Sequence, residues 1–396
     1  MGYKTIKTFD LNNARVLVRV DLNVPLKNSF VRDNTRLKKI KPNIDKILAL
    51  GGKPILIGHI GRPKGCFEPE LSVKNIVSEL ECVLQKKVVF CEKLIGPIAI
   101  NASKAVDTDT ILLLENTRFY GGEMENEAHF SKSLSKLGDV FCNDAFSVSH
   151  RAHASTVGVT KFLPSFAGSH IIEEIEALEL CLSKPKKPLT AVIGGSKVSS
   201  KIKLLKNLVR KVDNIIIGGG MANTFLLANG YEIGQSKCEP SLIQTAREIV
   251  EAASMFGCEI HLPIDLITST SIDEVSNIKS RDIDKCQSDE MIFDCGDRSI
   301  ELYSKIISGS KTVVWNGPLG VFEVTPFDNG TKKICQLISS QTSLNKITSI
   351  VGGGDTVAAL NLFGFMNNFS YVSTAGGAFL EWLEGKKLPG IEVLKR

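Results

Sequence analysis

Lys197 and Lys201, four residues apart in AVIGGSKVSSK, and Asp355 at the end of VGGGD are the residues whose types and spacing point to chemistry on a polyphosphate. Each follows a short apolar run that breaks into glycine. The second half of the chain repeats that pattern five times, in AVIGGSK, IIIGGGMANT, VVWNGPLG, IVGGGDT and STAGGAF. A buried strand that runs into glycines and then a helix lets backbone N–H groups approach an anion beside the positive end of the helix. No GxxxxGK[ST] occurs, and Asn223 and Val357 stand where a dinucleotide fingerprint needs its third glycine, so the phosphate site is of another kind.

Ser199 and Ser200 have the character of helix caps, which sets Lys201 in the first turn of its helix, against the macrodipole. An anion between the lysine and the helix amides makes that placement favourable, and Lys197 can serve the same anion. A solvated lysine at a frayed helix start is the alternative. Asp355 likewise reads either as an N-cap or as a carboxylate sharing a magnesium ion with phosphates, because magnesium prefers oxygen ligands and keeps several waters. Asn316 and Pro318 in a rigid loop, with Glu323 downstream in WNGPLGVFE, suit ribose hydroxyls.

The first half carries a different chemistry. Arg36, His59, Arg62, Arg118 and Arg151 all fall after strand-like runs or at helix starts. An Arg fork matches phosphate or carboxylate bidentately and stays charged, so several converging at strand ends describe a pocket for a small polyanion; surface salt bridges are the competing account. Asp21 and Asn23, in VRVDLNVP, either form a turn before Pro25 or hydrogen-bond a sugar-acid hydroxyl. His150 and His153 have a metal-compatible spacing, but no third ligand accompanies them.

Elements that could position these groups alternate along the chain. ARVLVRVDL, KPILIGH, KVVF, TILLLEN and DVFCND are strand-length apolar runs, and the glycine-terminated series continues them. Between them, apolar residues at three and four spacing predict helices over 35–50, 71–84 and 201–209. This alternation predicts an α/β fold with parallel sheets wound by right-handed crossovers, and ligands at the carboxyl ends of the strands. Residues 170–182 form an amphipathic helix with Ile171, Ile175, Leu178 and Leu182 on one face. The following SKPKKPL places a domain boundary near residues 183–188.

At 396 residues the chain has room for two domains of ordinary size. No apolar stretch reaches the roughly 18 residues of a membrane helix, no secretory leader is visible, and Ile6 occupies the position where myristoylation of Gly2 wants Ser or Thr. Cytoplasm is the expected compartment. A net charge of +5 is too mild to imply nucleic acid, and ten scattered cysteines without a CxxC pair read as reduced structural thiols rather than disulfides or a zinc site.

The strings RVDLNVP, GHIGRPKG, LLLENTRFY, NDAFSVSHRAHAS, GGSKVSSKI, VVWNGPLGVFE and GGGDT occur in order, and with them the chain resembles the phosphoglycerate kinases over its full length. That resemblance implies reversible phosphoryl transfer between 1,3-bisphosphoglycerate with Mg-ADP and 3-phosphoglycerate with Mg-ATP, in glycolysis, by a monomer that closes about a hinge. It implies two doubly wound, Rossmann-like domains joined by a hinge helix: 1–168 for 3-phosphoglycerate with a C-terminal segment 380–396 packing back on it, 169–187 as hinge helix and linker, and 188–379 for the nucleotide. By the same resemblance, Asp21, Asn23, Arg36, His59, Arg62, Arg118 and Arg151 hold 3-phosphoglycerate. Lys197, Lys201, Gly218, Gly219, Gly296, Asn316, Pro318, Glu323, Gly353, Gly354, Asp355 and Thr356 hold the nucleotide, with Asp355 on magnesium. Gly376 and Gly377, with Arg36 and Lys201, serve the moving phosphoryl group.

Three positions depart from the family's usual residues. Ala375 stands where a third glycine is common and is strained if the site needs positive φ; Asp297 replaces a proline beside Gly296; Ser196 replaces an alanine beside Lys197. Two rival readings make different demands. A dinucleotide-dependent dehydrogenase needs a full GxGxxG, and a nucleic-acid-binding protein needs a larger basic excess with interleaved aromatics; the sequence supplies neither.

Overall fold

The apolar run that begins at Ala14 forms strand β1 (Arg15–Arg19), central in its sheet and buried on both faces. Val16 and Val18 pack into one core layer with Ile40, Ile44 and Leu80, while Leu17 faces the other with Phe141 and Leu134. Continuous hydrophobicity of this kind is what a parallel strand covered by helices on both sides requires. A computed structural model describes every residue of the chain except Met1, Asn28, Ser29, Ser183, Lys184, Glu274, Val275 and Ser276.

After β1 come the two-residue strands β2 (Leu26–Lys27) and β3 (Phe30–Val31), then β4 (Lys53–Ile57), β5 (Lys87–Cys91), β6 (Thr110–Leu114), β7 (Val140–Asn143) and β8 (Ser165–Ala167). Six of them make a parallel sheet in the order β5-β6-β4-β1-β7-β8. The chain leaves β1 toward β4 on one side and later returns to β7 on the other. The loops after β1, β4 and β7 therefore border the point where the winding reverses, which is where ligands bind in such sheets.

The second half repeats the plan with β9 (Leu189–Ile193), β10 (Asn214–Ile217), β11 (Glu259–His261), β12 (Asp265–Ser269), β13 (Lys279–Asp282), β14 (Met291–Cys295), β15 (Thr312–Asn316), β16 (Thr348–Gly352) and β17 (Tyr371–Ser373). The order β11-β10-β9-β15-β16-β17 is again parallel, with its reversal between β9 and β15. All five glycine-terminated runs are strands of this sheet. The sequence reading did not anticipate the small antiparallel sheet β13-β12-β14, whose strands carry charges and interrupted apolar patterns.

The helix expected over 35–50 is present as Thr35–Ala49, and that over 170–182 as Ser169–Leu182. The span 71–84 is not one helix. It is a 3-10 turn at Val73–Ile76 followed by an α-helix at Val77–Leu84, because the Ser72 hydroxyl, which accepts from the Lys74 N–H, fixes a separate start.

Two compact units result: Met1–Ile175 with Lys387–Arg396, and Glu176–Lys386. The division falls inside the helix Ser169–Leu182, and of the expected linker at 183–188, Ser183 and Lys184 lie outside the described residues. In the first unit the carboxyl-terminal segment meets the amino terminus through a Tyr3–Lys395 bridge and a bond from the Arg396 N–H to the Gly2 carbonyl. Every cysteine is a free thiol. Among the described residues no helix is long and apolar enough to cross a membrane.

Candidate functional site

In the first unit, the loops after four strands are tied to one another by the predicted residues. Arg36, in the first turn of Thr35–Ala49, donates from Nη1 to Asp21 Oδ1 at 3.3 Å and to the Asn23 carbonyl at 3.2 Å, and stands 3.1 Å from Asp21 Oδ2. The Ser147 hydroxyl donates to the same Asp21 carboxylate at 2.7 Å. Asn23 Oδ1 accepts the Gly61 N–H at 2.8 Å, and Arg118 Nη1 donates to the Gly61 carbonyl at 2.9 Å. Asn116 completes the frame, donating from Nδ2 to the carbonyls of Ile60 and Leu71.

Burial first, and then repulsion between neighbouring cations, depresses the basic groups at this end of the sheet. His59 is 3% exposed, and burial followed by Arg19, Arg118 and His153 holds its imidazole well below the usual histidine range. Burial, then Arg19 and Arg151, lowers Arg118 to about 10, and its buried Nε has no hydrogen-bond partner among the described residues. His153 falls to about 4 for the same reasons, burial first. A cluster that disfavours its own positive charges attracts a multivalent anion, which relieves the repulsion. Arg62 and Arg151 are exposed on the adjoining loops, Arg151 donating from Nε to His150 Nε2 at 3.2 Å.

Arg19 belongs to this site and escaped the sequence reading. It lies inside β1, fully buried, with Nη2 2.9 Å from His59 Nδ1. The available signal was a charged residue within an otherwise apolar strand, since buried cations persist only with specific partners.

In the second unit, the strand-end turns interlock through their backbones. The Gly195 N–H donates to the Pro318 carbonyl at 3.1 Å, and the Gly219 N–H to the Leu319 carbonyl at 2.7 Å. Gly219 has φ +67 and caps the helix Gly220–Ala228; a Cβ there would lie 2.8 Å from the Gly195 carbonyl oxygen and 3.0 Å from that of Pro318. Gly218 packs beneath Leu319. The Thr356 hydroxyl accepts the Gly317 N–H at 2.7 Å and donates to the Gly352 carbonyl at 3.1 Å, locking the turns after β15 and β16 together.

These turns border a cleft of roughly 380 Å³ lined by Gly195, Ser196, Gly219, Gly220, Asn223, Pro318, Glu323 and Asp355, with Met291, Phe293, Val321 and Phe322 as its apolar wall. β14 supplies part of that wall, so the unanticipated antiparallel sheet is a component of the site. Gly353 caps Gly354–Phe363, which carries exposed Asp355 in its first turn. Gly376 and Gly377 begin the short helix Gly377–Leu383. Lys197 is exposed on the turn after Gly195 and Ser196. Gly296 does not line this cleft; it caps the helix Asp297–Gly309, and its N–H donates to the Asp265 carbonyl at 3.0 Å.

Lys201 does not sit in the first turn of a helix. It precedes Ile202–Leu208, its N–H closing a turn on the Val198 carbonyl at 2.8 Å. Ser199 and Ser200 do not cap: the Ser199 hydroxyl donates to Glu239 at 2.6 Å and that of Ser200 to the Lys197 carbonyl at 2.8 Å. The Lys201 ammonium instead donates to Asn316 Oδ1, and Asn316 Nδ2 donates to the Gly352 carbonyl at 2.6 Å. Burial lowers Lys201 to about 8, with Asp355 and Glu384 acting in the opposite direction. Ala375 is unstrained, because positive φ in this turn falls on Gly376 at +55 and not on Ala375.

Among the described residues no group of three or more His, Cys, Asp or Glu side chains gathers to hold a metal ion. Among the residues lining the cleft, Asp355 and Glu323 carry carboxylates, Asp355 in the first turn of the helix that Gly353 caps. That donor set suits an ion that takes its remaining ligands from phosphates and water, as magnesium does.

Comparison with known proteins agrees over the whole chain. The family model described as phosphoglycerate kinase matches residues 6–386. The phosphoglycerate kinase of Xanthobacter flavus is 50% identical over 387 residues, covering 98% of this chain and 97% of its own. That of Ruegeria sp. (strain TM1040) is 47% identical over 395 residues, covering both chains in full. Among solved structures, phosphoglycerate kinase from Coxiella burnetii superposes with a TM-score of 0.90 at 41% identity over 99% of each chain. That from Pyrococcus horikoshii OT3 gives 0.85 at 28% identity over 99% of this chain and 98% of its own. The match of motifs, fold and full-length similarity has one reading: the chain belongs to the phosphoglycerate kinase family.

Proposed function

We propose that the basic cluster of the first unit holds 3-phosphoglycerate or 1,3-bisphosphoglycerate, and that the glycine turns of the second hold ADP or ATP, for the reaction the chain catalyses as a phosphoglycerate kinase: reversible phosphoryl transfer between 1,3-bisphosphoglycerate with ADP and 3-phosphoglycerate with ATP. The observation that carries this reading is the cleft in which Gly195, Gly219, Pro318, Glu323 and Asp355 meet at the winding reversal of their sheet. Its apolar wall takes the base, Glu323 the ribose, and the backbone N–H groups with Lys197, Lys201 and the Gly353 to Thr356 turn take the phosphates. Asp355 holds the magnesium that accompanies the nucleotide, which neutralises phosphate charge.

On the acid side, Arg36, Arg118, Arg62 and Arg151 bind the phosphate and carboxylate, while Asp21, Asn23 and His59 orient the hydroxyl and phosphate oxygens. In the direction of acyl-phosphate formation the nucleophile is a carboxylate, ionised at neutral pH by its ordinary pKa near 4, so no general base is needed. What remains is to align donor and acceptor in line and stabilise charge on the moving group. Arg36, Lys201 and the turn at Gly376 and Gly377 do so.

Transfer without hydrolysis requires water to be excluded. We place the bending that brings the half-sites together in the helix Ser169–Leu182, in a cytoplasmic monomer. Small-angle scattering tests the closure: the radius of gyration falls when both substrates are bound, and an unchanged radius sinks it. A coupled assay tests the sites. Consumption of ATP that depends on 3-phosphoglycerate falls by about 10²-fold or more in Lys201→Ala and Arg36→Ala proteins that remain folded, and full turnover in either removes that residue from the reaction.

A further inference from the structure

Behind the basic cluster runs a chain of buried polar groups, Glu123, Ser155 and Arg19, that ends on His59 and none of whose other members the sequence analysis picked as a site residue. Glu123, in the short helix Gly121–Met124, is fully buried. Both its oxygens are held by Ser155: Oε2 accepts the Ser155 N–H at 2.9 Å and Oε1 accepts the Ser155 hydroxyl at 2.5 Å. The hydroxyl, its proton thus committed, accepts from Arg19 Nε at 3.0 Å. Arg19 Nη2 then lies 2.9 Å from His59 Nδ1. Ser155 and Arg19 are fully buried as well.

Each link has one possible direction. A carboxylate only accepts, a guanidinium only donates, and the serine hydroxyl has one proton to give. Donation from Arg19 therefore obliges His59 Nδ1 to accept, and the imidazole proton must sit on Nε2. Nε2 makes no hydrogen bond to another group among the described residues, which leaves it for a ligand oxygen. Burying the Arg19 cation is costly without compensating charge, and Glu123 supplies it through the serine.

We propose that Glu123 is a positioning residue for the acid-binding site: through Ser155 and Arg19 it fixes His59 as the Nε2–H tautomer that donates to the substrate. The inference rests on the reading that His59 contacts the acid. Mutation of Glu123 alters neither a nucleotide contact nor a group in line with the transfer, so its effect belongs in the Michaelis constant for 3-phosphoglycerate.

Nitrogen NMR of the unaltered, histidine-labelled enzyme at neutral pH should show His59 as a neutral ring protonated on Nε2; a ring protonated on Nδ1, or a cationic one, overturns the proposal without any variant. Steady-state kinetics then compare Glu123→Gln, Ser155→Ala and Ser155→Thr. The first two should raise KM for 3-phosphoglycerate about tenfold, with kcat and the KM for ATP within about twofold of wild type, and Ser155→Thr, which keeps the hydroxyl, should restore it. His59→Gln separates the two readings. If it leaves KM for 3-phosphoglycerate unchanged, the assignment of His59 to the acid fails and the proposal with it. If it raises KM while folded Glu123→Gln and Ser155→Ala do not, the relay alone is wrong.

Discussion

Lys201 hydrogen-bonds the side chain of Asn316 across 115 residues of sequence, which ties the turn after β9 to the end of β15. The bond holds a lysine whose burial lowers it to about 8. Mg-ADP binding to the free enzyme should therefore weaken as pH rises from 7 to 9, because the ammonium loses its proton across that window. Calorimetric titration should show the decline in the wild type and a flatter profile in Lys201→Arg, whose guanidinium keeps its charge. Equal pH profiles in the two proteins would contradict the assignment.

Arg36 bridges the Asp21 carboxylate and the Asn23 carbonyl, so it is oriented before substrate arrives. Loss of one such preorganised donor costs about 10²- to 10³-fold in kcat when it acts on developing charge. Arg36→Ala should fall in that range, and Arg36→Lys should recover only part, since an ammonium cannot reproduce the fork. An effect confined to KM would instead make Arg36 a binding group only.

Gly219 combines positive φ with backbone on two sides. With ψ −166 beside that φ, Gly219 lies in a region essentially reserved for glycine, where another residue costs roughly 1–3 kcal/mol, and the added methyl must also displace the Gly195 and Pro318 carbonyls. Gly219→Ala should lose at least about 2 kcal/mol in denaturant unfolding and bind nucleotide more weakly. Gly230→Ala is a control for positive φ alone, because a Cβ there meets nothing within 4 Å.

His170 sits in the first turn of Ser169–Leu182, and burial followed by Lys39 lowers it to about 4. The unfolded chain takes up this proton near 6.5 and the folded chain does not, so stability present above pH 6.5 is lost as pH falls toward 4. Relative to His170→Gln, the wild type should lose about 3 kcal/mol over that interval, read from urea midpoints. A constant difference between the two proteins would show that His170 keeps its ordinary affinity for protons.

The central parallel strands were legible because they are buried on both faces and end in a glycine or polar turn, as TILLLEN and IIIGGG show, whereas the three-residue strands Ser165–Ala167 and Glu259–His261 at the sheet edges were not. Strands β12 to β14 were not, since runs such as KSRD carry no apolar signal and owe their pairing to neighbours distant in sequence. The cap assigned to Ser199 and Ser200 misled because local propensity cannot reveal that Glu239 claims the first hydroxyl. Arg36, Asp21 and Gly219 stand out by residue type beside a strand. Glu123 and Ser155 do not, because a buried relay is defined by which loops fold over one another.

Residues Lys387–Arg396 belong to the first unit, where the Asn143 side chain donates to the Gly390 carbonyl and the Gly390 N–H to that of Ser149. The loop after β7, from which Ser147 reaches Asp21, is thus buttressed by a segment that follows the whole second unit in the chain. The first unit therefore stays unfinished until translation has passed through the second and reached these residues.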